Sequence, residues 1–344
     1  MDKDDVLNEW TEEENKVDKK SAKKLVWRTR ISITFTVIRT LLAILLLYIV
    51  YMIPTSIYYD TSGKADEFNR VVTTMVELRY PGIAVDLHET WHAAEITPFL
   101  TQKTTLPIYR QVGEWKVAVG EVTASKSILF GKINYSVDLD NKYIDEGEMG
   151  FALSSYALHD KPATPPSNPN PSPLFDQLEK IDDGHVAQVS FSTRERMEPE
   201  QLRKIISKYD VEIHQMPIYA GELKAFNVGM SSSGSLTWVD GLLLRPFIEY
   251  DDKNRWSSKN HALTRQEDLA HAVDQFYQDL EWLIEHGDYY DKETDEKRLS
   301  YLKENELAVY GATVTGPIRE IERLKEEEMF YEFNLGGIEV WNWE

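Results

Sequence analysis

The sequence predicts an α+β protein hung from one membrane-crossing helix. Three observations carry this. One long uncharged apolar run lies near the amino end, strand-like alternation fills the middle, and strands alternate with amphipathic helices in the last half. At 344 residues the chain suits about two domains. It is 42% hydrophobic and 28% charged, enough to bury a core.

Residues 40–59 read TLLAILLLYIVYMIPTSIYY, without a charge. A helix needs about 20 mainly apolar residues to cross a bilayer. Apolar character reaches back to Ile31, so the span is assigned to residues 31–53, with Arg39 snorkelling near the inner interface. Tyr58 and Tyr59 suit an outer aromatic belt and Trp27 an inner one. The apolar core exceeds the 7–15 residues usual for a cleaved signal, and no small-residue cleavage site follows it, so the segment reads as a retained anchor. Lys19, Lys20, Lys23, Lys24, Arg28 and Arg30 precede it without an acid. The positive-inside rule places residues 1–30 in the cytoplasm and the rest outside, as a single-pass protein.

The first 18 residues hold eight acids against Lys3 and Lys16. Thirty residues cannot build a core unaided, so this tail is a candidate for ordering on a partner. Val6, Leu7 and Trp10 would share one face of a helix. Apolar anchors beside acids suit docking in a partner's groove, and a plain solvated tail is the alternative.

Beyond the span, Phe68, Val71, Val72, Met75 and Leu78 recur at helical spacing until Pro81-Gly82. Residues 83–87, 115–122, 127–135 and 151–157 read as strands, and residues 54–159 as a membrane-proximal, mainly β or α+β module. A proline-rich linker, DKPATPPSNPNPSP, occupies the 160–175 region.

Residues 176–344 then form a C-terminal layered domain, for which a ferredoxin-like arrangement is a candidate. Its expected strands are 186–191, 211–218, 307–315 and 338–343. A helix opens at Pro199, Thr264 and Glu267 fit a capping box for the next, and Pro317 takes the first position of a third. Ser231-Ser232-Ser233-Gly234-Ser235 reads as a loop.

Composition narrows the function. Lys+Arg is 38 against Asp+Glu 58, a net charge of −20, which argues against nucleic acid as a partner. The absence of cysteine excludes disulfides, thiolate metal sites and thiol catalysis. His88-Glu89-Thr90-Trp91-His92 matches H-E-x-x-H, the pattern of a zinc protease. Its context is strand-like and Pro98 cuts off any helix, so a membrane-anchored metalloprotease is only an alternative, as is an envelope scaffold. No catalytic residue, metal site or cofactor is assigned.

The basic flank and single span, followed by an outer part ending in YGATVTGPIREIERLKE and GGIEVWNWE, resembles the sigma factor regulators of Gram-positive bacteria. The strand and helix at Val189–Asp210 add to the resemblance, which covers residues 20–155 and 180–344. It implies a membrane-bound anti-sigma factor that restrains an extracytoplasmic-function sigma factor. It implies no enzyme activity and no cofactor. The tail is short for sequestering a sigma factor alone, which leaves a second membrane protein as a further partner.

Overall fold

In a computed structural model, residues 19–90, 94–128, 131–140, 150–159 and 173–341 are described. The fold is α+β. Helix α1 runs Lys19–Thr61 and contains Pro54. Among the described residues it is the one helix long and apolar enough to cross a membrane. The hydroxyls of Thr29, Thr34, Thr36, Thr40 and Thr55 each donate to the carbonyl four residues earlier, at 2.8–2.9 Å. Such back-bonding satisfies polar side chains where no water is present.

The chain divides into two compact units, Met1–Tyr58 and Tyr59–Glu344. Within the second, Gly63 precedes the first complete helix, with a φ of +76°, a left-handed geometry open to glycine. Helix α2, Lys64–Glu77, follows, with Asp66 and Glu67 in its first turn complementing the helix dipole. Phe68, Val71, Val72, Met75 and Val76 enter the core, in keeping with the helical spacing expected there.

Strands β1 (Ala84–Val85), β2 (Glu95–Ile96), β3 (Thr101–Val112), β4 (Trp115–Ser127) and β5 (Asn134–Leu139) make the first sheet. Its order is β1-β3-β4-β5, with β2 also on β3. The strands differ from the expected ones where alternation misleads. The strand expected over 83–87 is two residues followed by a 3-10 turn, Leu87–Thr90. The run 127–135 is instead the end of β4 and, after a break, the start of β5. Within β4, Gly120 pairs with Ile108 and Ala118 with Tyr109, so Val119 is an extra residue. This bulge lets Val119 and Val122 both point into the core despite their odd spacing.

Strand β6 (Ala152–Ser154) leads into the short helix α3 (Ser155–His159), which replaces the rest of the strand expected over 151–157. Helix α4 begins at Pro173 and ends at Leu178. Residues 160–172, most of the expected linker, lie outside the described residues.

Beyond α4 come β7 (His185–Met197), α5 (Pro199–Ile206), β8 (Glu212–Tyr219), β9 (Met230–Ser233), β10 (Leu236–Val239), β11 (Leu242–Leu244), β12 (Ile248–Tyr250) and β13 (Trp256–Lys259). Then follow α6 (Gln266–His286), α7 (Lys292–Glu304), β14 (Ala308–Pro317), α8 (Ile318–Arg323) and β15 (Phe330–Val340). The main sheet has the order β11-β8-β14-β7-β15, with every neighbour antiparallel. In it β14 separates β7 from β8, so the two strand–helix–strand units interleave.

Three local expectations are corrected. Thr264 does not cap α6; its hydroxyl accepts the Ile213 N–H at 3.0 Å and ties the helix start to β8. Pro317 ends β14 opposite Val186 and precedes the first helical residue of α8. The serine run is strand β9, which pairs with β10 across a turn at Gly234 (φ +60°). In the same sheet β10 pairs with β6, which precedes the linker.

One apolar cluster runs from Tyr59 through α2 and the first sheet to Phe330. A smaller one gathers Phe151, Leu153, Tyr219, Leu243 and Tyr310. A Cβ on Gly120, where φ is +150°, would stand 2.0 Å from the Asp138 carbonyl oxygen of β5. Gly120→Ala is therefore expected to cost about 2 kcal/mol or more. Urea unfolding of this variant against the parent protein checks it.

Candidate functional site

Helix α2 places three charged residues against the C-terminal half: Arg70 and Glu77 from the helix, and Arg79 just past its end. Each finds its partner far along the chain. Glu77 is 2% exposed. Its carboxylate accepts from Lys259 Nζ at 2.8 Å and from the Val85 N–H at 2.9 Å, and it lies 3.3 Å from the Arg245 guanidinium. Burial pushes the Glu77 carboxyl up, but Lys259 and Arg245 together outweigh it and hold the group below the usual carboxylate range.

Arg245 also donates to Asp279 of α6 at 2.7 Å. Asp279 in turn lies 3.6 Å from Arg70. The Arg70 guanidinium is sandwiched between Tyr250 and Trp282, 4.2 and 3.8 Å from their ring centroids, and donates to Asn254 at 3.0 Å. Such stacking suits a desolvated arginine.

Arg79 pairs with Asp295 of α7, which is wholly buried. Asp295 also accepts from Arg298 at 2.9 Å and from the Tyr289 hydroxyl at 2.8 Å. Arg298 continues to Glu222 at 2.8 Å and to the Asp240 carbonyl. The outcome is two runs of alternating charge, Lys259–Glu77–Arg245–Asp279–Arg70 and Arg79–Asp295–Arg298–Glu222, which together form the network. A backbone hydrogen bond from the Leu243 N–H to the Leu78 carbonyl, 2.9 Å, fixes the end of α2 on β11.

Two cavities flank this network. One, about 110 Å³, is lined by Asp66, Arg70, Thr73, Tyr250, Asn254 and Trp256. The other, about 40 Å³, has Gln188, His214 and Arg245 on its walls. Gln188 Oε1, His214 Nε2 and Arg245 Nε are buried there without a hydrogen-bond partner among the described residues. The volume suits about one water molecule. His214 donates from Nδ1 to the His261 carbonyl at 2.9 Å, and burial pushes its pKa down from 6.5 to about 4.

The H-E-x-x-H segment enters this region only at its start. The His88 ring packs edge-on against Trp256 with centroids 4.9 Å apart, whereas Trp91 and His92 lie outside the described residues. Among the described residues no group of three His, Asp or Glu side chains is placed to hold a metal ion. Val6, Leu7 and Trp10 also lie outside the described residues.

The comparisons with known proteins assign both arms of the network. Residues 19–117 match the family model described as sigma factor regulator N-terminal, and residues 178–337 match sigma factor regulator C-terminal. The chain belongs to the sigma factor regulator family. Arg70, Glu77 and Arg79 sit in the N-terminal match, and Arg245, Lys259, Asp279, Asp295 and Arg298 in the C-terminal one, so the buried charges join the regulator's two modules. A stretch of 76 residues, 20% of the chain, is 36% identical to a Bacillus subtilis protein described as "Probable anti-sigma-M factor YhdL". The match spans 21% of that relative's length. No solved structure matches the regulator.

None of the network residues stood out in the sequence, although a signal was present. Arg245 interrupts the apolar run LLLRPF, and Asp279 falls on the same face of α6 as Phe276, Leu280 and Leu283. A charge inside an apolar pattern is costly unless paired.

Removing one partner from a buried pair strands the other charge and costs about 3–5 kcal/mol. Asp295→Ala, which abandons Arg79 and Arg298, is expected to lose that much. Glu281→Ala, which breaks the half-exposed Lys303–Glu281 pair at 2.6 Å, should lose less than about 1 kcal/mol. Denaturant titration of both variants decides between them.

The pH dependence has two parts. Glu77, depressed in the fold, stabilises fully above the ordinary carboxylate value of 4.5, and that contribution fades as pH falls through its folded value. His214 binds a proton more readily in the unfolded chain, so its contribution is complete above 6.5 and declines toward about 4. His214→Gln should flatten the stability profile between these two pH values, as denaturation series at pH 7 and at mildly acid pH would reveal.

Proposed function

We propose that the chain is a single-pass membrane anti-sigma factor that restrains an extracytoplasmic-function sigma factor with its inner tail and senses the envelope with its outer unit. The observation that carries this reading is the long apolar helix within a family-matched module, entered from a flank of six cations without an acid. Charge bias of that kind orients the flank toward the cytoplasm. Residues 1–30 are then the inner tail, 54–159 and 176–344 the outer modules, and 160–175 the link between them.

In the tail, Val6, Leu7 and Trp10 dock in an apolar groove of the sigma factor, and the neighbouring acids pair with basic residues that otherwise face polymerase or promoter DNA. Restraint is thus competition for a surface. The short tail leaves room for a second membrane protein in the complex. The relative's printed description, an anti-sigma-M factor, supports a sigma factor as the partner class. On the outer side, a ligand that moves α6 or α7 acts on α2 through the buried ion pairs, and α2 follows directly on the membrane helix.

Trp10→Ala is expected to weaken capture of the sigma factor by about 2 kcal/mol, roughly thirtyfold, and to raise transcription of its regulon. Affinity pull-down of membrane-solubilised protein and a promoter reporter measure the two effects. Unchanged capture and unchanged transcription reject the tail anchor. Alkaline phosphatase fused after Glu344 should be active, and an inactive fusion overturns the orientation.

A further inference from the structure

The larger of the two cavities is lined by α2 and the β12–β13 hairpin. Asp251 ties the tip of that hairpin. Its carboxylate accepts the Lys253 and Arg255 N–H groups, each at 2.9 Å, and the Arg255 guanidinium at 2.8 and 3.0 Å. Asn254, at the tip, takes a φ of +63°, a left-handed geometry that asparagine tolerates. Its side-chain oxygen accepts Arg70 Nη1 at 3.0 Å, so the hairpin stands on α2. The cavity passes from an exposed rim at Arg255, through half-buried Asp66 and Trp256, to a buried floor of Asn69, Thr73 and Leu87.

Arg70 brings to this cavity a positive charge that the fold answers only in part. The run that ends at Arg70 sets three cations, Lys259, Arg245 and Arg70, against two carboxylates, Glu77 and Asp279, which leaves one positive charge over. Asp279 stands closer to Arg245, at 2.7 Å, than to Arg70, at 3.6 Å. Burial lowers the Arg70 pKa in spite of Asp279, whereas at Arg245 and Arg298 burial is outweighed by the carboxylates and the pKa rises. Arg70 Nε and the Tyr250 hydroxyl, both on lining residues, are buried without a hydrogen-bond partner among the described residues. Arg255 adds no spare charge at the rim, since Asp251 holds it. An anionic group beside Arg70 completes the pairing.

The other walls narrow the class of ligand. Asp66 lines the cavity from one helical turn before Arg70, on the same face of α2. A plain anion set against Arg70 also meets this carboxylate. A zwitterion instead offers an ammonium to Asp66 and a carboxylate to Arg70. Leu87 and the Trp256 ring supply apolar surface for a small body, and the His88 ring braces Trp256 edge-on at 4.9 Å. The volume, about 110 Å³, is somewhat less than the ~150 Å³ of a cavity that takes up benzene, and it suits roughly six non-hydrogen atoms or fewer. A carboxylate, an ammonium and at most one methyl group make up glycine and alanine.

We infer that this cavity binds a small α-amino acid, its carboxylate on Arg70, its ammonium on Asp66 and its side chain against Leu87 and Trp256. Arg70 is tied through Asp279 to α6 and through Asn254 to the hairpin, so an occupied cavity braces α2 against both. Binding here stands whether or not the tail restrains a sigma factor, and it is read on the protein directly.

Full-length protein in detergent micelles is titrated calorimetrically with L-alanine, propionate and ethylamine. Alanine is expected to bind with a Kd of about 1 mM or tighter, and the other two, each lacking one charge, at least about tenfold more weakly. Asp66→Asn should weaken alanine about tenfold or more and leave propionate unchanged or tighter. Arg70→Gln, checked for folding by circular dichroism, should remove alanine binding. Absence of binding at about 10 mM alanine overturns the inference. Propionate that binds as tightly as alanine overturns it too, as does an Asp66→Asn variant that loses both ligands alike. A folded Arg70→Gln variant that still takes up alanine places the site elsewhere and has the same effect. Where Arg70→Gln fails to fold, the three ligands and Asp66→Asn decide alone.

Discussion

Burying a charge is the constraint on which this structure turns. Glu77 and Asp295 are removed from water at a desolvation cost of several kcal/mol per ion, and the fold stands only because each meets two cations within contact distance. Apolar packing would have joined α2 to the C-terminal half at lower cost. A charge network adds discrimination, since a rotated or slipped helix leaves Arg70, Glu77 and Arg79 unpaired together. Packed and paired interfaces of this kind switch between arrangements and do not deform gradually.

The orphaned polar atoms mark where that network is least complete. Gln188 Oε1, His214 Nε2 and Arg245 Nε meet around one small cavity, next to the carboxylate of Glu77. They lie beside a carboxylate held by two cations, at the end of α2.

Much of this architecture was legible in the residues. The apolar run, its basic flank, the amphipathic α2 and the alternation of strand and helix after Pro199 all follow from periodicity and composition. Strand boundaries were less so. Alternation across 116–122 conceals a bulge, because Gly120 permits a backbone geometry and a close approach to Asp138 that residue type alone does not announce. Thr264 and Glu267 had the spacing of a cap, yet the Ile213 N–H competes for the Thr264 hydroxyl and wins it through a tertiary contact. The ion network was invisible for the same reason. Its partners are separated by 182, 184 and 216 positions for Lys259–Glu77, Arg70–Asn254 and Arg79–Asp295, and local patterns carry no information at such range.

Those separations also set a timetable for biogenesis. A chain synthesised amino end first completes α2 long before residues 245–298 exist to pair with it, and β6 waits on β10 in the same way. Closing such long loops is slow compared with forming local helices. A newly made copy therefore passes through an interval in which Arg70, Glu77 and Arg79 still lack their partners from the C-terminal half.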